Sequence, residues 1–199
     1  MKAGKRVLLT LLGIFTGFLF SPFSMAESTS AGPVTIAARV PAGLTLELTI
    51  VDQLTRTERP SLDFGELVRV GEEFRSTTFF KVLLKINTVG DSCELTQTGT
   101  PLTRSPGGET IPDGAYFVRP AYDEADNNDA PQPPGSGLGV AGAVVGPRVL
   151  YRDPTGSSRV IAATYTLSGD PNTGATEIIP LSQKSGSYSG TVQFTLTTV

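Results

Sequence analysis

Val34-Thr35-Ile36-Ala37-Ala38-Arg39-Val40-Pro41-Ala42-Gly43-Leu44-Thr45-Leu46-Glu47-Leu48-Thr49-Ile50 decides the fold class. In its first half Val34, Ile36, Ala38 and Val40 fall on one face at a period of two. In its second half Leu44, Leu46, Leu48 and Ile50 alternate with Thr45, Glu47 and Thr49. A period of two belongs to a half-buried strand, because successive side chains leave opposite faces of a pleated backbone. Pro41-Ala42-Gly43 separates the runs, so the stretch predicts two strands rather than one helix.

The same alternation recurs along the chain. Phe80, Val82, Leu84 and Ile86 alternate with Lys81 and Lys85, while Phe79 and Leu83 partly fill the other face, which predicts a strand in the middle of a sheet. Glu94 to Thr100 is expected to pair beside it. Leu62 to Leu67 predicts a brief strand broken at Gly65, and Ala115 to Arg119 another, announced by Pro112-Asp113-Gly114. Arg148 to Arg152 and Arg159 to Leu167 flank Asp153-Pro154-Thr155-Gly156 and predict a hairpin; Thr176 to Leu181 is a further short strand. From Tyr188 to Thr198, Val192, Phe194 and Leu196 alternate with Thr191, Gln193 and Thr195. Eight to ten such segments with no helical periodicity predict an all-β antiparallel sandwich, and the absence of a fixed repeat argues against propellers and solenoids.

Composition narrows the chemistry. The 199 residues include 22 Gly, 15 Pro and 25 Thr, with no His, no Trp and one Cys. Without imidazole there is no Ser-His-Asp triad, no Cys-His pair and no His-ligated metal, and one Cys cannot build a zinc or iron-sulfur site. No enzyme activity, cofactor or metal is expected; a glycosidase using carboxylates alone is the one catalytic alternative compatible with these residues. Gly137-Leu138-Gly139-Val140-Ala141-Gly142 matches a dinucleotide fingerprint, but Pro131, Pro133, Pro134 and Pro147 deny it the strand before and the helix after. Asp63-Phe64-Gly65 is the end of a strand rather than a kinase triplet. Asp123, Glu124, Asp126 and Asp129 lack calcium-loop spacing and open a long Gly/Pro-rich surface loop over 123–147. Cys93 is expected as a buried, inert thiol, with an intermolecular disulfide as the alternative.

Lys2, Lys5 and Arg6 precede an apolar run from Val7 to Phe20, and Ser24 and Ala26 are small, so residues 1–26 are expected to be a signal peptide cut before Glu27. The run is too short to span a bilayer, and no direct membrane insertion is expected. Three of the 16 Lys and Arg, and none of the 19 Asp and Glu, lie in that leader, so the remaining chain has a net charge of −6. That balance argues against nucleic acid as a partner. The expected organisation is a small, polar lead-in and extension over 27–41, followed by one domain over 42–199.

Four features together resemble the subunits of bacterial chaperone–usher pili, especially the archaic, spore coat U-like branch. They are the alternating Val34 to Val40, Leu62-Asp63-Phe64-Gly65, Leu150-Tyr151-Arg152-Asp153, and Gly186-Ser187-Tyr188-Ser189-Gly190-Thr191-Val192-Gln193-Phe194-Thr195-Leu196. The closing segment is similar also to that of CS1-type fimbrial subunits. The resemblance implies an immunoglobulin-like sandwich that is incomplete and is completed by an N-terminal donor strand from the next subunit. The donor would present Val34, Ile36, Ala38 and Val40, and the acceptor groove would lie between Leu44, Leu46, Leu48 and Ile50 and Val192, Phe194 and Leu196. It implies a periplasmic chaperone and an outer-membrane usher as partners, other fibre subunits as neighbours, and a place on the cell surface reached through the periplasm. The unpaired Cys93 and the long loop depart from that pattern. The alternative is a monomeric exported sandwich that binds a glycan or a protein through its loop and pairs residues 34–40 with its own sheet.

Overall fold

A computed structural model describes residues 29–39, 43–88, 90–123, 135–167 and 174–199. The expected leader, Val40, and Glu124, Asp126 and Asp129 lie outside the described residues. In chain order the strands are β1 (Thr29–Arg39), β2 (Thr45–Asp52), β3 (Thr57–Arg59), β4 (Gly65–Val70), β5 (Glu73–Arg75), β6 (Phe80–Asn87), β7 (Cys93–Gly99) and β8 (Thr103–Arg104). They continue with β9 (Tyr116–Tyr122), β10 (Gly137–Leu138), β11 (Gly142–Ala143), β12 (Gly146–Asp153), β13 (Arg159–Leu167), β14 (Ile179–Pro180) and β15 (Gly186–Thr198). One 3-10 turn, Asp113–Ala115, precedes β9. No helix among the described residues is long and apolar enough to cross a membrane.

The strands form two sheets that pack as an all-β sandwich. One runs β10-β12-β7-β15-β1-β4-β5-β14, with β8 also on β15; the other runs β11-β9-β13-β6-β2-β3. Alternation explains the packing. Phe80, Val82, Leu84 and Ile86 of β6 are buried, as are Ile161, Ala163, Tyr165 and Leu167 of β13, and they meet Leu95 of β7 and Val192, Phe194 and Leu196 of β15 in one core. Phe64 packs edge-on against Phe80 at 5.3 Å and against Tyr116 at 5.8 Å between ring centres, a geometry that sets the positive edge of one ring on the negative face of the next. Gln97, the one buried side-chain amide among the described residues, is satisfied: its Nε2 donates to Val144 O at 3.2 Å and its Oε1 accepts from the Tyr165 hydroxyl.

Four expectations change. Asp63-Phe64-Gly65 is not the end of a strand: the turn at Asp63 and Phe64 leads into β4, which begins at Gly65. Glu94 to Thr100 does not pair with β6: β7 lies between β12 and β15 in the other sheet, because the chain crosses from one sheet to the other after β6. Arg148 to Leu167 is not a hairpin, since β12 pairs with β7 while β13 pairs with β6 and β9. Turn residues such as Pro154 and Gly156 serve an arch between sheets as well as a hairpin, and period-two alternation carries no information about the partner. Part of the expected loop is also built into the sandwich, where Gly137–Leu138 pairs with Tyr151 and Arg152 and Gly142–Ala143 pairs with Phe117 and Val118.

Cys93 is buried, and its thiol is pushed up to about 11, chiefly by burial and then by the Asp153 carboxylate. A buried thiol held protonated is a poor nucleophile. Native protein at pH 8 is therefore expected to react with a thiol reagent at least a hundredfold more slowly than urea-unfolded protein, monitored by absorbance of the released thiolate. Equal rates would show that Cys93 is reachable in the folded state.

Candidate functional site

The site is the seat of β1. The other strands of its neighbourhood follow an immunoglobulin-type order: β2-β6-β13-β9 in one sheet answer to A-B-E-D, and β7-β15 in the other answer to C-F. Tyr188 near the start of β15 supports that correspondence. Its hydroxyl donates to Lys184 O at 2.6 Å and accepts from Gln183 Nε2 at 2.7 Å. A tyrosine tied back to the backbone a few residues upstream is the corner that introduces strand F. The position beside F belongs to strand G, which in a complete domain follows F in sequence and runs antiparallel to it. Here β1 occupies it, coming from the opposite end of the sequence and running parallel to β15.

β1 is held on one side by β15, with Thr29 to Ala31 opposite Gly186 to Tyr188 and Val34 to Arg39 opposite Gly190 to Thr195. On the other side only its first half is covered. Thr29 to Ala31 pair with Leu67 to Gly65 of β4, and Val34 exchanges backbone hydrogen bonds with Leu62 at 3.0 and 3.4 Å. Among the described residues no strand pairs with the outer edge of residues 35–39. An edge of that kind leaves backbone donors and acceptors open to another strand.

Of the four candidate donor side chains, Val34 is fully buried, Ile36 is half-buried against the core, Ala38 is exposed, and Val40 lies outside the described residues. Of the candidate acceptors, Val192, Phe194 and Leu196 are all fully buried on the inner face of β15. Leu44 and Ile50 are buried and Leu46 and Leu48 half-buried, but β2 sits in the opposite sheet and faces β1 across the sandwich instead of pairing with it. Between them runs a cleft of about 320 Å3 whose walls include Ile36, Ala38, Leu48, Ile50, Arg59 and Pro60. The seat is therefore three-sided, with β15 beside the strand, β2 facing it from the other sheet, and Glu58 to Pro60 completing the cleft wall.

Sequence reasoning missed Ala31, Leu62 and Arg59 as parts of this seat. Ala31 is fully buried in β1, although it lies in the small, polar lead-in before the alternating run begins at Val34. Two β1 residues, Gly32 and Pro33, stand against Ser189 alone, so the strand bulges and its parity changes. That is how Ala31 and Val34, three residues apart, both point inward. Leu62 belongs to the Leu62-Asp63-Phe64-Gly65 motif, whose geometry is local: Asp63 Oδ1 accepts from Gly65 N at 3.0 Å, and Gly65 takes a φ of 64°. The turn sends Leu62 and Phe64 into the core, both buried, and leaves the backbone of Leu62 facing Val34.

Among the described residues no group of three or more His, Cys, Asp or Glu is placed to hold a metal ion. Asp153 and Asp52, both buried, cap turns. Asp52 Oδ1 accepts from Leu54 N and Thr55 N at 2.9 and 3.1 Å, and its Oδ2 faces Arg59 at 3.4 Å. Asp123 lies 3.8 Å from Lys81. Comparison of the chain with protein-family models, with curated proteins and with solved structures returns no match.

Proposed function

We propose that this protein is a structural subunit of a surface pilus or fibre, exported through the periplasm and joined to its neighbours by exchange of the segment at 34–40. The observation that carries the reading is that the place beside β15 is filled by a strand from the far end of the sequence, in parallel orientation and with no strand among the described residues on the outer edge of residues 35–39. Parallel pairs are somewhat less stable per residue than antiparallel ones. A strand from a second copy entering antiparallel would pair more stably per residue, and alternate side chains of an added strand fill pockets while its main chain supplies the hydrogen bonds. Gly43, at a φ of 94°, lies in the five-residue connection between β1 and β2 and gives it a backbone conformation open to few other residues. A chaperone that lends a strand to the same seat, and an usher that passes subunits on, are the partners this reading requires.

The test mixes two chains. One is Glu27–Val199 with an affinity tag; the other begins at Ala42 and lacks β1. A complex of both, resistant to SDS at room temperature and dissociated by boiling, is the expected result, together with ladders of the tagged chain by light scattering at high concentration. A tagged chain that stays monomeric at every concentration and never captures the shorter one would sink the proposal. It would favour the monomeric reading, for which a strand seated in its own sheet is the supporting observation.

A further inference from the structure

We propose that Gly32 is a register lock that retains β1 in its own chain, and that its requirement for glycine is specific to the parallel, same-chain seat. The inference rests on the strand-exchange reading for its second half only. At the bulge β1 passes close to β15: a β-carbon placed on Gly32 would lie 3.0 Å from the carbonyl oxygen of Tyr188. That oxygen has nowhere to retreat. The Tyr188 side chain is fully buried, its hydroxyl is tied to Lys184 O and Gln183 Nε2, and the far side of β15 is held there by β8 through Tyr188 opposite Arg104 and Ser189 opposite Thr103. Pro33 follows and has no N–H to contribute to a ladder, which suits the unpaired position of a bulge.

The lock also sets what is buried. An unbroken strand puts residues three apart on opposite faces. Only the extra residue at Gly32-Pro33 lets Ala31 and Val34 both reach the core, where each is fully buried. Losing the bulge would slip the strand by one residue on one side of it and turn either Ala31 or the Val34 and Ile36 pair outward. A strand entering the same groove antiparallel reverses the order of its residues along β15, so a residue other than Gly32 meets the Tyr188 carbonyl. Glycine at this position therefore favours retention in cis without being needed for addition in trans.

The test uses Glu27–Val199 carrying Gly32→Val or the milder Gly32→Ala, with Thr35→Val, on an exposed position of the same strand, as the control. Amide hydrogen exchange of residues 29–39 reads the cis seat, and capture of each tagged chain by an untagged Glu27–Val199 chain reads transfer. Gly32→Val is expected to speed exchange across β1 at least tenfold and Gly32→Ala by less, with protection of β6 and β13 unchanged. Capture should rise with the loss of protection, and Thr35→Val should alter neither. Unchanged β1 protection in both Gly32 variants would overturn the lock. Faster exchange with a parallel loss of capture would overturn its specificity for the cis seat, since glycine would then be needed in both. Faster exchange with no capture by any variant, the parent included, would support the lock and refute strand exchange. Should Gly32→Val fail to fold, the Gly32→Ala comparison decides.

Discussion

A chain beginning at Ala42 is expected to lose its cooperative unfolding transition at 25 °C and to recover it when a synthetic peptide of residues 27–41 is added in excess. Ala31 and Val34 are fully buried and Ile36 half-buried against the core, and complete burial of a valine alone stabilises by about 1.5–3 kcal/mol. The pairing with β15 spans Thr29 to Arg39, and β4 and Leu62 add contacts on the other side. Each backbone hydrogen bond contributes about 0.5–1.5 kcal/mol net. Their sum approaches the about 5–15 kcal/mol by which whole domains are stable. Removal also exposes the inner faces of Val192 and Phe194 to water. Circular dichroism against urea, with and without peptide, measures the effect. A truncated chain that unfolds cooperatively at the parent midpoint would show that β1 lies on the sandwich without supporting it.

Asp153→Ala is expected to cost about 3–4 kcal/mol, measured by urea unfolding at pH 7, and to lower Tm by about 10 °C. Asp153 is fully buried at the arch between β12 and β13. Its Oδ1 accepts from Thr155 N and Thr155 Oγ1, each at 2.7 Å, and its Oδ2 accepts from Ser157 N at 2.9 Å and from the Tyr151 hydroxyl at 3.2 Å. Alanine leaves the buried Tyr151 hydroxyl and the turn amides without these acceptors, and an unsatisfied buried group costs about 1–3 kcal/mol by itself. The effect also depends on pH. Burial raises the Asp153 pKa, but the hydrogen bonds from Thr155, Ser157 and Tyr151 outweigh it and leave the carboxyl below its ordinary value of 3.8. A group whose folded value is the lower one stabilises the fold fully above its unfolded value, and that contribution fades as pH falls through the folded value. The difference between parent and Asp153→Ala should therefore be constant from pH 5 to 7 and shrink toward pH 2. Asp52, also held low against its burial by Thr55 and Leu54, gives the variant a residual acid sensitivity. A cost below about 1 kcal/mol at pH 7, within the range of a surface substitution, would mean that the arch has other acceptors for these donors.

Much of this fold is legible in alternation. The inward residues of β6 and β15 are the ones their patterns select, and β2 follows the run from Leu44 to Ile50. Pairing is not legible, because a side chain's face is a local property and its sheet is not. Glu94 to Thr100 carries the same alternation whether it lies beside β6 or, as here, between β12 and β15. The Asp153 turn likewise has hairpin chemistry in its residues and arch geometry in space. At the candidate site, Val34 and the β15 residues are visible as an apolar stripe, whereas Ala31 is hidden by the bulge at Gly32-Pro33. Arg59 and Pro60 enter the cleft through a connection between sheets, for which periodicity has no signal.

The parallel pairing of β1 with β15 also imposes an order of events on synthesis. Residues 29–39 leave the ribosome long before residues 186–195, yet each is the other's partner. Contacts so distant in sequence bear a large loop-closure cost and form late. Until then the β1 segment travels as an unpaired, alternating apolar strand, and the growing sandwich waits with an open edge. For the whole of that interval any other extended chain of suitable pattern competes for the same place, and the time taken to make the intervening residues sets how long the competition lasts.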